Sequence, residues 1–314
     1  ARTLFDAGYD VTILEARKRA GGRIQSVSED GWPMPVQLGA WLSAKDDIAS
    51  LQGRLSVLGV GDVEFGTATG QTAGGPADTV DGGPLERAIE RAAGTPADLP
   101  LDEALKESGA DPEDPALAAS LAWLSATTGA DPAKASSWFP PSFAPDSLVG
   151  ADGDVGAIVE DALKDLKVTF ATPVVRIAHD DSGVSLRLGT GEALSFDRVV
   201  VTAPLGVLQH QGIEFDPVLP FAHRGAIAAL GSGFVEAVWL RFDEKFWTVD
   251  AQLWHVVGGD GPIRTWLNLQ PVTGEPVLVG LVGGPDAEAF AGLGDDDAEA
   301  AVLGSLAFFA PVAP

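Results

Sequence analysis

A short apolar strand that ends on an acid is the feature that most constrains the fold, and it lies in the segment Gly8–Glu15. Val11, Ile13 and Leu14, with few polar interruptions, predict a strand buried on both faces, as in a parallel sheet. Residues 1–7 predict the last turns of a helix, which Gly8 closes in a left-handed conformation. Helix, glycine, strand and carboxylate in this order are typical of the second half of a dinucleotide-binding βαβ unit, where the carboxylate accepts a hydrogen bond from a ribose hydroxyl.

The first half of such a unit carries a Gly-x-Gly-x-x-Gly turn about 20 residues before the acid. Counting back from Glu15 passes the first residue of the chain, and that residue is Ala1 rather than Met. We therefore expect a fragment whose phosphate-binding loop precedes Ala1. A helix followed by a strand also occurs in other α/β proteins, and these residues alone leave that alternative open.

The residues around the strand end resemble a known family. Leu14-Glu15-Ala16-Arg17 followed by Gly21-Gly22-Arg23 is similar to the fingerprint of the flavin-containing amine oxidases, which include monoamine, polyamine and L-amino-acid oxidases and flavin-dependent histone demethylases. The resemblance implies a bound FAD whose adenosine ribose is held by Glu15, beside Ala16 and Arg17. It implies that Gly21 and Gly22 let the backbone pass close to the cofactor, and that Arg23 faces the pyrophosphate through a charge-assisted hydrogen bond. A solvated loop arginine is the alternative for Arg23.

The segment Val36–Trp41 resembles the family's "LGAxW" motif, which passes along the flavin ring. The resemblance implies that Gly39, Ala40 and Trp41 lie beside the isoalloxazine, where small residues allow a close approach. The match departs from the family pattern, because Trp41 follows Ala40 directly where one residue usually intervenes. A packing role is the alternative for Trp41.

Two later segments extend the resemblance. The pattern Val174…Ile177…Val184 is similar to a region in which the backbone of the first valine meets the adenine ring, so this role falls to Val174; a core strand is the alternative. The run 198–208 resembles "VVxTxPLGVL", which returns a strand to the cofactor and implies that Thr202 and Pro204 lie near it. Three consecutive valines at 199–201 predict a fully buried strand, which Pro204 ends because proline cannot donate to a ladder.

The predicted fold is α/β: a Rossmann-like FAD-binding domain with a parallel sheet and helices, plus an α+β substrate domain with a mixed sheet and a helical insert. The expected boundaries are 1–47 and 146–208 for the FAD-binding domain, 48–145 for the helical part, and 209–314 for the substrate-domain sheet and helices, truncated at the C-terminus. Residues 66–84, rich in Gly, Thr, Ala and Asp, predict a mobile surface loop. Other patterns predict helices at 48–60, 85–93, 101–108 and 115–127, and strands at 234–242, 252–257, 263–269 and 277–282.

The family's reaction, which the resemblance implies here, oxidises an amine to an imine. A hydride equivalent passes to flavin N5, and dioxygen then reoxidises the flavin to give hydrogen peroxide. A lysine in the family's "KxxLxF" motif is water-bridged to N5; alignment on Leu240-Arg241-Phe242 places Ala237 there, so no catalytic residue is assigned. A related flavin oxidoreductase, such as an amino-acid oxidase or an oxygen-independent dehydrogenase, and a fold-retaining protein without activity stay open. The visible segment alone is expected to be inactive.

The composition and net charge limit the classes of partner that the chain is expected to bind. A net charge of −25 argues against nucleic acid, because the phosphate backbone would be repelled. It could attract a cationic amine, although a solubility adaptation or a genome bias explains it as well. The absence of cysteine excludes disulfides, thiolate metal sites and a cysteinyl-linked flavin within these 314 residues, so an FAD bound here is held non-covalently or through residues outside the fragment. The four histidines show no metal-ligand spacing.

No stretch of about 18 apolar residues predicts a membrane helix, so no membrane partner is expected. The expected partners are a small-molecule amine and dioxygen, with a homodimer as a candidate assembly. We expect a cytoplasmic location, and secretion stays open because the expected true N-terminus lies outside the chain.

Overall fold

A computed structural model describes residues 1–77, 80, 82–141 and 148–310, without the side chains of 47–51. Packing divides the chain into two compact units. Unit 1 comprises Ala1–Gln25 and Val155–Ser232, and unit 2 comprises Ser26–Asp154 and Gly233–Pro314. Unit 1 thus consists of two segments that are far apart in the sequence. The domain boundaries given above stay a prediction.

The helices of the described residues are, in chain order, α1 (Arg2–Asp6), α2 (Lys45–Val57), α3 (Gly83–Ala92), α4 (Leu101–Ser108), α5 (Pro115–Thr128), α6 (Gly156–Leu163), α7 (Leu205–Gln209), α8 (Phe221–Ala229), α9 (Gln270–Thr273), α10 (Gly284–Ala291) and α11 (Asp295–Leu306). The strands are β1 (Thr12–Leu14), β2 (Ser26–Val27), β3 (Val36–Gln37), β4 (Leu42–Ala44), β5 (Gly61–Glu64), β6 (Ala68–Thr72), β7 (Gly75–Ala77), β8 (Leu148–Asp152), β9 (Lys167–Thr169), β10 (Val174–Asp180), β11 (Gly183–Leu188), β12 (Ala193–Phe196), β13 (Glu214–Asp216), β14 (Val235–Arg241), β15 (Leu253–Val256), β16 (Thr265–Asn268) and β17 (Val277–Gly283).

The start of unit 1 folds as the sequence predicts. Helix α1 ends at a left-handed Gly8 with φ +88°, whose N–H donates to the carbonyl of Phe5 at 2.9 Å. The glycine has no Cβ to oppose this conformation. Strand β1 follows and pairs in parallel with β9, Thr12 opposite Lys167. The helix, the glycine cap and the strand are therefore confirmed.

The sheets of unit 1 are smaller than predicted. Strands β1 and β9 form a two-stranded sheet, and β12-β11-β10-β13 form a second sheet in which only the β10–β13 pair is parallel. The described residues therefore show a mixed α/β arrangement without an extended parallel sheet. The predicted burial of β1 is wrong, because Thr12 is exposed and Ile13 and Leu14 are only half-buried. Two paired strands cannot cover both faces of one another.

The predicted buried strand at the three valines 199–201 is also wrong. These residues adopt no regular structure, and Val200 is 72% exposed. A strand requires a hydrogen-bonding neighbour, and no described strand pairs with this run. Helix α7 follows, with Pro204 as its N-cap residue.

Unit 2 is built on one mixed sheet of six strands in the order β14-β17-β16-β15-β6-β7. The β15–β6 pair is parallel and the other pairs are antiparallel. The predicted strands near 234–242, 252–257, 263–269 and 277–282 are confirmed as β14, β15, β16 and β17. Trp254, Trp266 and Leu278 point into an apolar core that α10 and α11 complete.

Helix α5 covers the other face of this sheet, where Trp123 meets His255 on β15 edge-on at 5.4 Å. Asp114 caps its N-terminus by accepting the N–H groups of Ala116 and Leu117, each at 3.1 Å. Its C-terminal end lies directly on β17, since a Cβ at Gly283 would clash with the Ser125 carbonyl oxygen. Only glycine fits at this crossing.

The predicted mobile loop at 66–84 is wrong for the described residues. Strands β6 and β7 form a hairpin at the edge of the six-stranded sheet, with Gly70 opposite His255. Ladder hydrogen bonds use main-chain groups, so a glycine- and threonine-rich segment can join a sheet without an apolar face. Residues 78, 79 and 81 lie outside the described part of the chain.

Candidate functional site

The loop that follows β1 is joined to the loop that follows β9. The N–H of Glu15 donates to the carbonyl of Thr169 at 2.9 Å, and the Glu15 carbonyl accepts the N–H of Thr172 at 2.9 Å. The Arg17 carbonyl accepts the N–H of Ala171 at 2.8 Å. Both loops leave the carboxyl ends of parallel strands, which is where ligands bind in open α/β sheets.

Only one of the two Glu15 carboxylate oxygens accepts a hydrogen bond from this loop. Its Oε1 accepts the Arg17 N–H at 2.8 Å, which fixes the side chain against its own loop. Its Oε2 makes no hydrogen bond within the described residues. Glu15 as a residue is half-buried, and its unpaired carboxylate oxygen can accept a hydrogen bond from a ligand hydroxyl.

The double glycine forms a turn in which both residues have left-handed backbone angles. Gly21 and Gly22 have φ +93° and +56°, and the N–H of Ile24 closes the turn on the Gly21 carbonyl at 2.9 Å. A Cβ at Gly21 would clash with the carbonyl oxygen of Ile24, whereas one at Gly22 meets nothing within 4 Å. The turn therefore requires glycine at 21 for both space and backbone angle, and presents an open main-chain surface at 22.

Two arginines flank the turn differently. Arg19, which the sequence analysis did not single out, donates to the carbonyls of Gly22 at 2.9 Å and Ala20 at 3.1 Å. It braces the loop from within. Arg23 is exposed, and its guanidinium makes no hydrogen bond or ion pair with any described residue. Arg23 is therefore free to bind an anionic group.

Val174 lies at the start of β10, two residues after Thr172, which bonds to Glu15. The register of β10 against β11 shifts between Val174 and Arg176, so the ladder is interrupted there. The structure thus connects the Val174 main chain to the loop that holds Glu15. Thr202 and Pro204 are exposed, and no hydrogen bond joins residues 198–204 to 11–23 in the described part of the chain.

Gly39, Ala40 and Trp41 belong to unit 2. Trp41 is 6% exposed, and its ring lies 5.1 Å from that of Trp239 and 6.2 Å from that of Phe65. These contacts give Trp41 a packing role in unit 2. Its role beside a flavin, like those of Gly39 and Ala40, stays a prediction.

Ala237 lies on β14, on the same face of the strand as Trp239 and opposite Leu281 of β17. Its methyl group is exposed and offers neither a donor nor an acceptor. Lys245, the nearest lysine in sequence, is paired with Asp250 at 2.9 Å. Position 237 therefore carries a methyl group where the family has an ammonium group.

The chain matches known proteins over most of its length. A sequence model of the family described as flavin containing amine oxidoreductase matches residues 1–43 and 96–314. The chain belongs to this family. Among the relatives of this flavin amine oxidoreductase, polyamine oxidase 4 of Oryza sativa subsp. japonica is 30% identical over 350 residues, which cover 98% of the chain and 69% of the relative.

Solved structures show the same fold. Cyclohexylamine oxidase from Brevibacterium oxydans IH-35A superposes with a TM-score of 0.78 at 20% identity, covering 99% of the chain and 78% of that protein. Putrescine oxidase bound to putrescine gives a TM-score of 0.74 at 19% identity, covering 98% and 77%. The mixed α/β arrangement is therefore that of a flavin amine oxidoreductase.

The family uses FAD, and the residues of the Glu15 loop fit such a group. The unbonded Glu15 oxygen suits a ribose hydroxyl, the open main chain at Gly22 admits a close ligand, and the unpaired Arg23 suits a phosphate. No group of three or more histidines or carboxylates among the described residues is arranged to hold a metal ion. No described helix combines the length and the apolar character needed to cross a membrane.

Proposed function

We propose that this flavin amine oxidoreductase binds FAD and oxidises a small primary or secondary amine to an imine, with dioxygen as electron acceptor and hydrogen peroxide as product. The observation that carries the proposal is the unbonded Glu15 oxygen at the end of β1, in the same loop as the Gly21–Gly22 turn. Relatives named for polyamine and putrescine, and a structure named for cyclohexylamine, support an amine as substrate.

The chain's own residues would hold the cofactor in four places. Glu15 would accept a ribose hydroxyl, with Ala16 and Arg17 completing the loop. Arg23 would bind the pyrophosphate beside the main chain of Gly21 and Gly22. The Val174 main chain would meet the adenine ring. Gly39, Ala40 and Trp41 would pass along the flavin ring. Thr202 and Pro204 would lie near the cofactor. On this proposal β1 and β9 are part of a Rossmann-like FAD-binding domain.

When bound, FAD supplies the redox chemistry by accepting a hydride equivalent from the carbon next to the substrate nitrogen. The protein then has to orient the amine and exclude water from the reacting face, so few acid–base residues are required. A cytoplasmic location and a homodimer stay predictions from the sequence.

A second candidate is an oxygen-independent amine dehydrogenase, and Ala237 favours it. A methyl group cannot hold a water molecule where the family's lysine does. With the fold and the FAD loop kept, electrons would then pass to an acceptor other than dioxygen. Peroxide release separates the two candidates, because only the oxidase produces it.

The cofactor is tested by titrating the complete protein that carries this sequence with FAD and following the quenching of flavin fluorescence. We expect Glu15→Gln to weaken FAD binding about ten-fold, because a hydrogen bond to a charged acceptor contributes about 1.5 kcal/mol or more. The matched control is Glu160→Gln, the same change on an exposed carboxylate of unit 1 outside the loop. A protein that stays colourless after addition of FAD would refute the proposal.

The reaction is tested with a panel of amines under air. The oxidase predicts stoichiometric peroxide and loss of the amine. The dehydrogenase predicts reduction of the flavin by the amine without peroxide, and turnover only with an artificial electron acceptor. A flavin that no amine reduces would contradict both candidates.

A further inference from the structure

Gln37 is a buried polar side chain of unit 2 to which the proposed function gives no role. It lies on β3 and is 1% exposed. Burying an amide costs free energy unless its donors and its acceptor are hydrogen-bonded. Gln37 meets this condition through three hydrogen bonds, and their partners show what the side chain holds together.

The three bonds join separate segments of unit 2. Gln37 Oε1 accepts the Ser26 hydroxyl on the neighbouring strand β2 at 2.6 Å. Gln37 Nε2 donates to the carbonyl oxygens of Gly153 at 2.8 Å and Pro35 at 3.1 Å. Gly153 is 116 residues away in the sequence, so this bond is a tertiary contact. We call these four residues the Gln37 junction.

The junction lies beside two places where the chain passes from one unit to the other. Ser26 is the first residue of unit 2 after unit 1, and Gly153 precedes Asp154, after which the chain returns to unit 1. Gly153 has φ +135°, a backbone angle that residues with a side chain rarely adopt. Gln37 therefore fixes the unit 2 side of both passages.

The junction also holds one end of a short exposed segment. Residues 38–40, which are exposed or half-buried, directly follow Gln37. Their other end is held by Trp41, whose carbonyl accepts the Ala151 N–H at 3.0 Å. A Cβ at Gly150 would lie 2.8 Å from the Trp41 ring, so this ring packs directly on β8. Both ends of the segment are thus fixed to β8 and the residues just after it.

The surroundings of Gln37 favour an amide over a carboxylate. One side of the group faces a hydroxyl donor, and the other side faces two carbonyl acceptors. A primary amide supplies one acceptor and two donors, which matches this arrangement. An ionised carboxylate has no donor and would leave both carbonyl oxygens without a partner.

Groups that contact a cofactor have to be held within about 0.5 Å by side chains that are themselves fixed by hydrogen bonds. We propose that Gln37 is a positioning residue, which fixes residues 38–40 relative to β8 through the Gln37 junction. The role toward the cofactor rests on the proposed function, in which Gly39 and Ala40 pass along the flavin ring. Gln37 would then set how closely their main chain approaches the ring.

The junction is tested by hydrogen exchange in the complete protein that carries this sequence. We expect Gln37→Leu to make exchange about ten-fold faster in peptides covering residues 36–41 and 148–154, because the bonds between these two segments are lost together. The matched control is Gln71→Leu, the same change at a half-buried glutamine on β6. Exchange that is unchanged in either segment, or equally fast in the control, would overturn the proposal.

Gln37→Glu keeps the shape of the side chain and makes the junction depend on pH. Burial and the two facing carbonyl oxygens are expected to raise the pKa of the introduced carboxyl above its ordinary value. The protonated form can still donate to one carbonyl, whereas the ionised form cannot. The folded protein therefore binds this proton more tightly than the unfolded chain, so the junction is kept at low pH and lost as the pH rises through the folded pKa. We expect exchange in both segments to match that of the wild type at about pH 5 and to be about ten-fold faster at about pH 8. Equal exchange in the two proteins at both pH values would overturn the proposal.

The role toward the flavin is tested by the visible circular dichroism of bound FAD. We expect the Gln37→Glu spectrum to match that of the wild type at low pH and to change as the pH rises, while the wild-type spectrum stays constant. A spectrum identical to that of the wild type throughout would overturn the positioning role, because a change in stability alone leaves the flavin environment intact. Failure of the FAD proposal is distinguishable: a colourless protein whose exchange still responds to Gln37→Leu in both segments refutes the flavin function and supports the junction.

Discussion

Replacing Gly21 by alanine tests whether the turn after β1 is built as described. Gly21 has φ +93°, and a Cβ there would clash with the carbonyl oxygen of Ile24. Gly22 is the matched control, because it is also left-handed at φ +56° but would place its Cβ in open space. The two substitutions add the same methyl group one residue apart.

The two substitutions are expected to destabilise the turn by different amounts, because only one of them causes a clash. In both variants the left-handed backbone lowers the free energy of unfolding by about 1–2 kcal/mol. In both, the reduced freedom of the unfolded chain raises it by the same small amount. Only Gly21→Ala must also displace Ile24, whose N–H closes the turn at 2.9 Å, and losing that bond adds about 1 kcal/mol. We therefore expect Gly21→Ala to lower the free energy of unfolding by about 2–3 kcal/mol and Gly22→Ala to lower it by about 1 kcal/mol.

The assay has to report unit 1. All eight tryptophans lie in unit 2, at positions 32, 41, 123, 138, 239, 247, 254 and 266, so intrinsic fluorescence follows the other unit. Hydrogen exchange of peptides from residues 1–25 measures the opening of the turn directly. Equal protection in Gly21→Ala and Gly22→Ala would refute the reasoning, as would a Gly21→Ala protein with undiminished affinity for FAD.

Three further predictions concern other parts of the chain. His255 is fully buried without a partner for either ring nitrogen, and burial lowers its pKa from 6.5 to about 4. The unfolded chain therefore takes up the proton first as the pH falls, so the free energy of unfolding of unit 2 should decrease by about 3 kcal/mol from pH 6.5 to pH 4 through this group. Urea titrations followed by tryptophan fluorescence measure this free energy, which should decrease less steeply with falling pH in His255→Leu. Identical pH dependence in the two proteins would contradict the prediction. Asp114→Ala should destabilise unit 2 by about 1 kcal/mol through loss of the α5 cap, whereas Asp114→Asn should restore most of it; the same urea titration measures both, and equal midpoints for the two variants would count against the cap. Ala237→Lys should increase the rate at which dioxygen reoxidises the reduced flavin, followed by stopped-flow absorbance, while Ala237→Met, of similar length without the ammonium, should not; equal rates would show that position 237 is not the family's lysine position.

Local patterns in the sequence predicted those elements whose cause is itself local. The helix at 101–108 has the predicted ends, because Pro100 precedes it and a left-handed Gly109 follows it at φ +87°. The strand and acid of Gly8–Glu15 were likewise readable, since the glycine cap and the strand pattern lie within a few residues of each other.

Features that depend on pairing between segments far apart in the sequence could not be predicted from local patterns. The hairpin β6–β7 joins the sheet through main-chain bonds to β15, which lies far along the chain and leaves no mark in the hairpin's composition. The valines 199–201 have the composition of a buried strand but no ladder neighbour among the described residues.

The pairing of β1 with β9 has a consequence for the order of events during synthesis. Lys167 follows its partner Thr12 by about 155 residues, so closing this loop costs about 4.5 kcal/mol of chain entropy. At ribosomal rates the delay between the two strands is about 8 to 30 s, during which much of unit 2 emerges. A nascent chain stalled before Lys167 can have no β1–β9 pair, so the loop that carries Glu15 gains its neighbouring loop only after β9 has been made.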